Sequence, residues 1–285
     1  MTPTAILSIA ASDSFGAAGI QADIKTAMAL HAYCATAITA VTAQNSLGVA
    51  AIHPVPANIL SAQLTAAAQG FLPARLGAIK IGMLGHAEAL PAVVNFVQQL
   101  AGAIPVVVDT VLNASSGAAL LPPSAVHVYR ESLLPLATLI TPNLHEAALL
   151  LDAPLATSEA QQREQAQALL QLGCGAVLLK GGHFEGNSAS DYLVTPHGEA
   201  RFSSPKIQTN NSRGTGCSLA AAIAVGIAQG LPLEQAVEAA KNYISAALQG
   251  AVGWQLAQGS GPICHGANGA NSASYQQLHL GQTDN

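Results

Sequence analysis

Short apolar runs alternate with longer Ala/Leu/Gln-rich stretches along most of this chain. The runs Ala5–Ala10, Ala35–Val41, Ala78–Ile81, Val106–Asp109, Leu139–Thr141 and Ala176–Lys180 have strand length. The stretches Gly19–Leu30, Pro56–Gln69, Ala87–Leu100, Ser124–Leu134, Leu144–Leu151, Ser158–Leu172, Thr215–Gln229 and Pro232–Leu248 read as helices. Strands that are apolar throughout must be covered on both faces, which a parallel sheet flanked by helices achieves. The expected class is therefore α/β with a central, mostly parallel sheet. Ligands of such sheets bind beyond the carboxyl ends of the strands, so the residues after each strand carry the interest.

Two segments break the alternation. Gly48–Pro54 is a short extended piece suited to a small lid, and Ser190–Ser203 reads as a hairpin around Pro196-His197-Gly198. Ser158 with Gln161 predicts a capping box, and Pro232 suits a first helical turn. No repeat or linker divides the chain. The expectation is one domain over residues 1–265 and a loose tail, 266–285, rich in Gly, Ser, Asn and Gln.

Half of the 285 residues are hydrophobic and 9% are charged, so a large core is expected. A net charge of −5 without a basic stripe argues against nucleic acid as a partner. No charged region precedes Ala5–Ala10, and the longest bland run, Ser218–Leu231, is too short for a bilayer. No membrane partner is expected. The four cysteines form no Cys-x-x-Cys pair, which together with the missing signal suggests a reducing cytoplasm. Cys34 and Cys174 lie in apolar surroundings and are expected in the core.

The strongest local motif is Arg213-Gly214-Thr215-Gly216-Cys217, which runs into Ser218-Leu219-Ala220-Ala221-Ala222-Ile223. A glycine turn feeding a helix N-terminus offers free N–H groups and a favourable dipole to an anion. The thiol of Cys217 sits in that field and its pKa is expected to fall. The pattern is neither a P-loop, since no Gly-Lys-Ser/Thr follows, nor a dinucleotide fingerprint. The ligand it suggests is a phosphate in transfer.

Other groups stand at strand ends. Asp109 closes Val106-Val107-Val108 and would face the ligand crevice, or cap the next turn. In Thr141-Pro142-Asn143-Leu144-His145-Glu146, Asn143 and Glu146 fit a capping box, and Glu146 could also help hold hydrated Mg²⁺ beside nucleotide phosphates. Lys180, in Lys180-Gly181-Gly182-His183, is one of only ten Lys and Arg residues and can neutralise a transferring phosphate. Asp13 offers an acceptor between Gly16, Gly19 and the first strand. The amide of Gln44 can read the ring nitrogen and amino group of an aminopyrimidine. Met83 could pack on a flat ring or fill core.

In this order, the blocks Ser12-Asp13 with Gly16 to Asp23, Thr42 to Ser46, Lys80 to Leu84, Asp109-Thr110-Val111, Thr141 to Glu146, Lys180 to His183 and Gly214 to Cys217 resemble the ribokinase superfamily. Within it the chain resembles the hydroxymethylpyrimidine/phosphomethylpyrimidine kinases of thiamine biosynthesis, from about residue 5 to Pro262. The resemblance implies a three-layer α/β/α fold with a small lid and two successive ATP-dependent phosphorylations of one pyrimidine. It implies that Gly214, Gly216 and Cys217 form the anion hole and that Lys180 bridges to the phosphate. Asn143, Lys180 and Thr215 would bind nucleotide, and Asp109 and Glu146 would stand near Mg²⁺. Asp13, Gln44, Met83, Val111 and the backbone of Ala11 and Ala18 would hold the pyrimidine. A cytoplasmic homodimer is implied as well.

Four positions depart from the family pattern. Ala11 stands where Gly is usual, Phe15 where a small residue is usual, Arg213 where His is usual and Ser115 where many relatives carry Lys. The leading expectation stays the two-step kinase; Ala11, Phe15 and Arg213 motivate a rival, an enzyme performing only the second phosphorylation. Two further readings stay open: pyridoxal kinase and a catalytically silent pyrimidine-binding regulatory protein.

Overall fold

The computed structural model describes residues 2–71, 75–100, 102–112, 121, 123–182 and 188–267. Among these, one sheet holds β1 (Ala5–Asp13), β2 (Tyr33–Asn45), β3 (Gly48–Pro54), β4 (Leu76–Ile81), β5 (Val106–Val108), β6 (Leu139–Ile140), β7 (Val177–Lys180), β8 (Ser188–Thr195) and β9 (Gly198–Pro205). Their order is β3-β2-β1-β4-β5-β6-β7-β8-β9. The pairs from β2 to β7 are parallel, while β3, β8 and β9 add antiparallel edges. The helices are α1 (Gly19–Ala29), α2 (Ala57–Gln69), α3 (Ala89–Gln99), α4 (Pro123–Val128), α5 (Leu144–Leu151), α6 (Glu159–Leu170), α7 (Thr215–Ala228) and α8 (Leu233–Gly250).

The strands sort their side chains by the two-residue pleat. Leu7, Ile9, Ile79, Ile81, Val106, Val108, Ile140, Val177 and Leu179 face one core with residues of α2 through α6. Ile6, Ala78, Val107, Leu139, Ala176 and Leu178 face the other, with α7, α8 and Ala27 of α1. This is the expected three-layer α/β/α arrangement. By the same alternation, Ser8 and Lys80 point to the α1 and α7 side, where both are fully buried.

The boundaries differ where pairing overrides composition. β2 runs on through Thr42-Ala43-Gln44-Asn45 because β3 pairs with it from Ala40 to Asn45. The expected lid piece is thus an edge strand, and it carries Gln44 with it. The predicted helix Ser124–Leu134 ends early at Val128 and passes through a wider turn, Tyr129–Leu133, into a tight one, Leu134–Leu136. The Ser158 box is only half made. Ser158 Oγ accepts the Gln161 N–H at 3.3 Å, but Gln161 Oε1 takes the N–H and hydroxyl of Thr157 instead. Ser115, His183 and residues 268–285 of the expected tail lie outside the described residues.

Candidate active site

Six parallel strands end along one rim, and the rim collects the charges. Asp109 follows β5, fixed by its N–H to Ile81 O at 2.8 Å. Its Oδ1 accepts from Thr141 Oγ1 and from Lys180 Nζ, both at 3.2 Å. Burial would lower the Lys180 ammonium, but Asp109 and Glu146 hold it above its ordinary value. Burial would raise Asp109, yet Lys180 and Lys80 keep it ionised below the usual carboxylate range. The turn after Lys180 is held by Asp191, whose Oδ1 accepts the Gly181 N–H at 3.0 Å while its Oδ2 pairs with Lys241 at 2.5 Å. A Cβ at Gly181 would meet Ser190 O at 2.3 Å, so the turn admits only glycine.

Asn143 and Glu146 make the full capping box at the start of α5. Asn143 Oδ1 accepts the Glu146 N–H at 2.9 Å, and Glu146 Oε2 accepts the Asn143 N–H at 2.8 Å. Thr110 Oγ1 donates to the same Oε2 at 3.0 Å. Glu146 is buried, and burial, helped by the charge of Asp109 and opposed by Lys180, pushes its carboxyl up to about 7. The cap of α5 and a raised, buried carboxyl therefore meet in one side chain.

The glycine turn lies over this rim. A Cβ at Gly216 would stand 3.6 Å from Lys180 Nζ and 3.9 Å from Asp109 Oδ2. Gly214 is left-handed, with φ of 87°, and a Cβ there would lie 1.8 Å from Ala17 O. It is locked onto the loop that follows β1, and α7 starts at the next residue. The N–H groups of Thr215, Gly216 and Cys217 occupy its first turn, where no intrahelical acceptor exists. Thr215 Oγ1 turns back to Ser212 O at 3.0 Å.

The thiol of Cys217 behaves contrary to expectation. Burial pushes it up to about 11, against the pull of Lys80 and the Gly19 amide. Loss of water from the thiolate outweighs the helix N-terminus and the lysine. Cys217 is a neutral thiol in the resting site.

Lys80 has a place in the site that its sequence context does not assign. Its Nζ pairs with Asp23 Oδ2 at 2.9 Å, both side chains being wholly buried, and Ser8 Oγ donates to the same oxygen at 2.5 Å. Burial alone would lower the ammonium, but Asp23, Cys217 and Asp109 together hold it above its ordinary value. A positive charge is thus fixed beside Cys217, under the glycine turn. The available signal is a lysine inside an apolar strand and an aspartate inside an Ala-rich helix.

The loop after β1 uses its own polar groups. Asp13 is buried and accepts the N–H of Phe15 at 2.8 Å, of Ala17 at 3.0 Å and of Ala18 at 2.8 Å. The Ala18 carbonyl takes the Ala22 N–H at 3.2 Å, and the Ala11 N–H goes to Met83 O at 3.1 Å. Asp13 and the amides of Ala11 and Ala18 therefore hold this loop in shape. Met83, Val111 and Gln44 are half-buried. Arg213 does not turn to the anion turn beside it, because its Nη2 donates to Gln44 Oε1 at 2.7 Å.

The C-terminal segment braces α7. His265 is buried and bonds through Nε2 to Ser218 Oγ at 3.0 Å, and Tyr243 OH donates to its carbonyl at 3.0 Å. Burial lowers this imidazole to about 4, so it stays neutral. No group of three His, Cys, Asp or Glu among the described residues could hold a metal by itself. The residues nonetheless suit hydrated Mg²⁺. Asp109 and Glu146 supply hard oxygens, and Mg²⁺ keeps most of its waters and takes one or two carboxylates.

A family model for phosphomethylpyrimidine kinase matches residues 13–264. A hydroxymethylpyrimidine/phosphomethylpyrimidine kinase from Rhizobium meliloti is 47% identical over 259 residues, which cover 91% of this chain and 96% of that one. Among solved structures, an ADP complex of Bacillus subtilis pyridoxal kinase is similar with a TM-score of 0.84 and 32% identity, covering 93% of this chain and 98% of that one. A phosphomethylpyrimidine kinase from Clostridium difficile gives a TM-score of 0.74 at 35% identity, covering 86% and 99%. Motif order, a parallel-sheet rim carrying Asp109 and Lys180 under a glycine turn, and these likenesses agree: the chain belongs to the phosphomethylpyrimidine kinase family.

Proposed function

We propose that the protein transfers the γ-phosphoryl group of ATP first to 4-amino-5-hydroxymethyl-2-methylpyrimidine and then to its monophosphate, giving a diphosphate for thiamine biosynthesis. The family and its thiamine-biosynthesis relatives support this reading. The observation that carries the chemistry is the Lys180–Asp109 pair at 3.2 Å directly under Gly216. Phosphoryl transfer is mostly positioning and charge stabilisation, and here a cation, a helix N-terminus and a carboxylate converge on one point.

In this reading the N–H groups of Gly216 and Cys217 and the turn at Gly214 bind the transferring phosphate, and Lys180 neutralises it. Asn143 and Thr215 flank the nucleotide. Asp109 and Glu146 would hold Mg²⁺, which when bound would draw charge from the ATP phosphates. The substrate alcohol attacks phosphorus while ADP leaves. Its proton departs late in a loose transition state and passes to an oxygen of the transferred phosphoryl group, so the neutral thiol of Cys217 need only accept a hydrogen bond from the alcohol before transfer. The monophosphate is already anionic and asks still less. Gln44, Met83 and Val111 hold the ring. A cytoplasmic homodimer belongs to the same reading; among the described residues no helix is long and apolar enough to cross a membrane.

The test is a product assay by phosphorus NMR with ATP, Mg²⁺ and either pyrimidine. Diphosphate from both substrates is expected. Diphosphate from the monophosphate alone would restrict the enzyme to the second step. A second reading, pyridoxal phosphorylation, is favoured by the pyridoxal kinase likeness. Turnover of pyridoxal above that of the pyrimidine would establish it.

A further inference from the structure

Gln44 stands at the end of β2 and is gripped twice. Ser14 Oγ donates to its carbonyl at 2.7 Å and accepts its N–H at 2.9 Å. Arg213 Nη2 then donates to its side-chain Oε1 at 2.7 Å, across 169 residues of sequence. A guanidinium carries only donors, so the amide atom it meets must be the oxygen. The orientation of a Gln amide, normally a matter of assignment, is here dictated by chemistry.

The grip on Arg213 is equally firm. Its N–H donates to Gly261 O at 3.0 Å, and it forms a backbone bridge with Pro262. The next residue, Gly214, is wedged against Ala17 O. The guanidinium is therefore carried by a braced backbone.

An untethered Gln amide can rotate by half a turn and offer either its NH₂ or its oxygen at a given point. With Oε1 held, rotation would set NH₂ against guanidinium, donor against donor. We infer that Arg213 is a specificity-determining positioning residue, which pins the Gln44 amide so that its NH₂ is a fixed donor toward the substrate, with the second lone pair of Oε1 a fixed acceptor beside it. That pattern matches a ring nitrogen next to an exocyclic amine. It rejects a ring N–H next to a carbonyl, where donor meets donor and acceptor meets acceptor. The protein thereby selects 4-aminopyrimidine alcohols over their 4-oxo counterparts. The inference rests on the reading of Gln44 as a substrate-facing residue.

The experiment measures kcat/KM of the full chain, with ATP and Mg²⁺, for 4-amino-5-hydroxymethyl-2-methylpyrimidine and its 4-oxo analogue. A mispaired buried amide is expected to give the wild type a preference on the order of 100-fold for the amine. Arg213→Met keeps the stem and removes the donors, so the preference should fall below about tenfold, chiefly through a lower KM for the oxo compound. Arg213→Lys keeps a donor-only head and should retain most of it. Simple loss of stability would not move the ratio between two substrates. A wild type without preference, or an Arg213→Met variant with the wild-type ratio, overturns the inference. Should Arg213→Met not fold, Gln44→Glu serves instead. Its carboxylate satisfies Arg213 but offers only acceptors, so each ring makes one match and one clash and the preference should collapse toward unity; an unchanged preference overturns the inference. The underlying reading fails separately. Absence of turnover of the amine by the wild type removes the substrate assignment, and an unchanged KM in Gln44→Ala removes Gln44 from the substrate and the inference with it.

Discussion

Burial acts on Cys217 and Glu146 in the same direction, because each charged form loses water. For Cys217, at about 11, the thiolate is a minute fraction at neutral pH. Alkylation by iodoacetamide, followed by peptide mapping, should be slow at pH 7 and keep rising toward pH 11; a plateau below pH 8 would show an activated thiol. The motif was legible in the sequence, but the charge state was not, since water exclusion by α1 and β4 sets it. For Glu146 the folded value, about 7, lies above the ordinary 4.5. A raised carboxyl contributes stability that is fully present below 4.5 and is lost as pH climbs through about 7. Glu146→Gln keeps a box-forming side chain and removes the titration. Urea denaturation without Mg²⁺ should therefore show the wild type losing stability between pH 5 and 8 relative to the variant. Lys180→Ala, which removes the cation proposed for the transferring phosphate, should lower kcat by about 10²–10³ in both steps by steady-state kinetics. A normal rate would take Lys180 out of the mechanism.

The glycine turn locks α7 onto the loop after β1, and its two glycine properties can be separated. Gly214 needs both a left-handed backbone and space, since a Cβ would lie 1.8 Å from Ala17 O. Gly230 is left-handed too, with φ of 89°, but a Cβ there meets nothing within 4 Å. Gly230→Ala should cost roughly 1–2 kcal/mol, from left-handed strain alone. Gly214→Ala should cost more and abolish activity, because the loop after β1 must move off α7. Thermal melting and kinetics on the two variants check this. Element order and most helix starts were readable from periodicity and caps, as with Asn143 at α5. The extension of β2 to Asn45 was not, because Thr42-Ala43-Gln44-Asn45 becomes strand only by pairing with β3.

At the scale of the molecule, the site is a charge network laid across an open apolar sheet covered by helices on both faces. Lys80 and Asp23 are both wholly buried, so removing one leaves the other uncompensated. Lys80→Met should cost about 3–5 kcal/mol in urea denaturation, and Lys80→Met with Asp23→Leu should recover much of it. If Lys80 also supports the anion turn, the double variant folds but remains slow. Full activity in the double variant would confine the pair to folding.

Apolar periodicity and glycine chemistry, both local properties of the chain, were enough to announce a covered parallel sheet, its rim of Asp109 and Lys180, and the glycine turn at Gly214-Thr215-Gly216 that opens a helix. Pairing and protonation escaped that reading. Lys80 meets Asp23 across 57 residues and Arg213 meets Gln44 across 169, and no spacing encodes such partners. The neutral thiol of Cys217 and the raised carboxyl of Glu146 have the same origin: a charge is set by whatever distant segments fold over it and shut out water, and that is known only once the layers have closed.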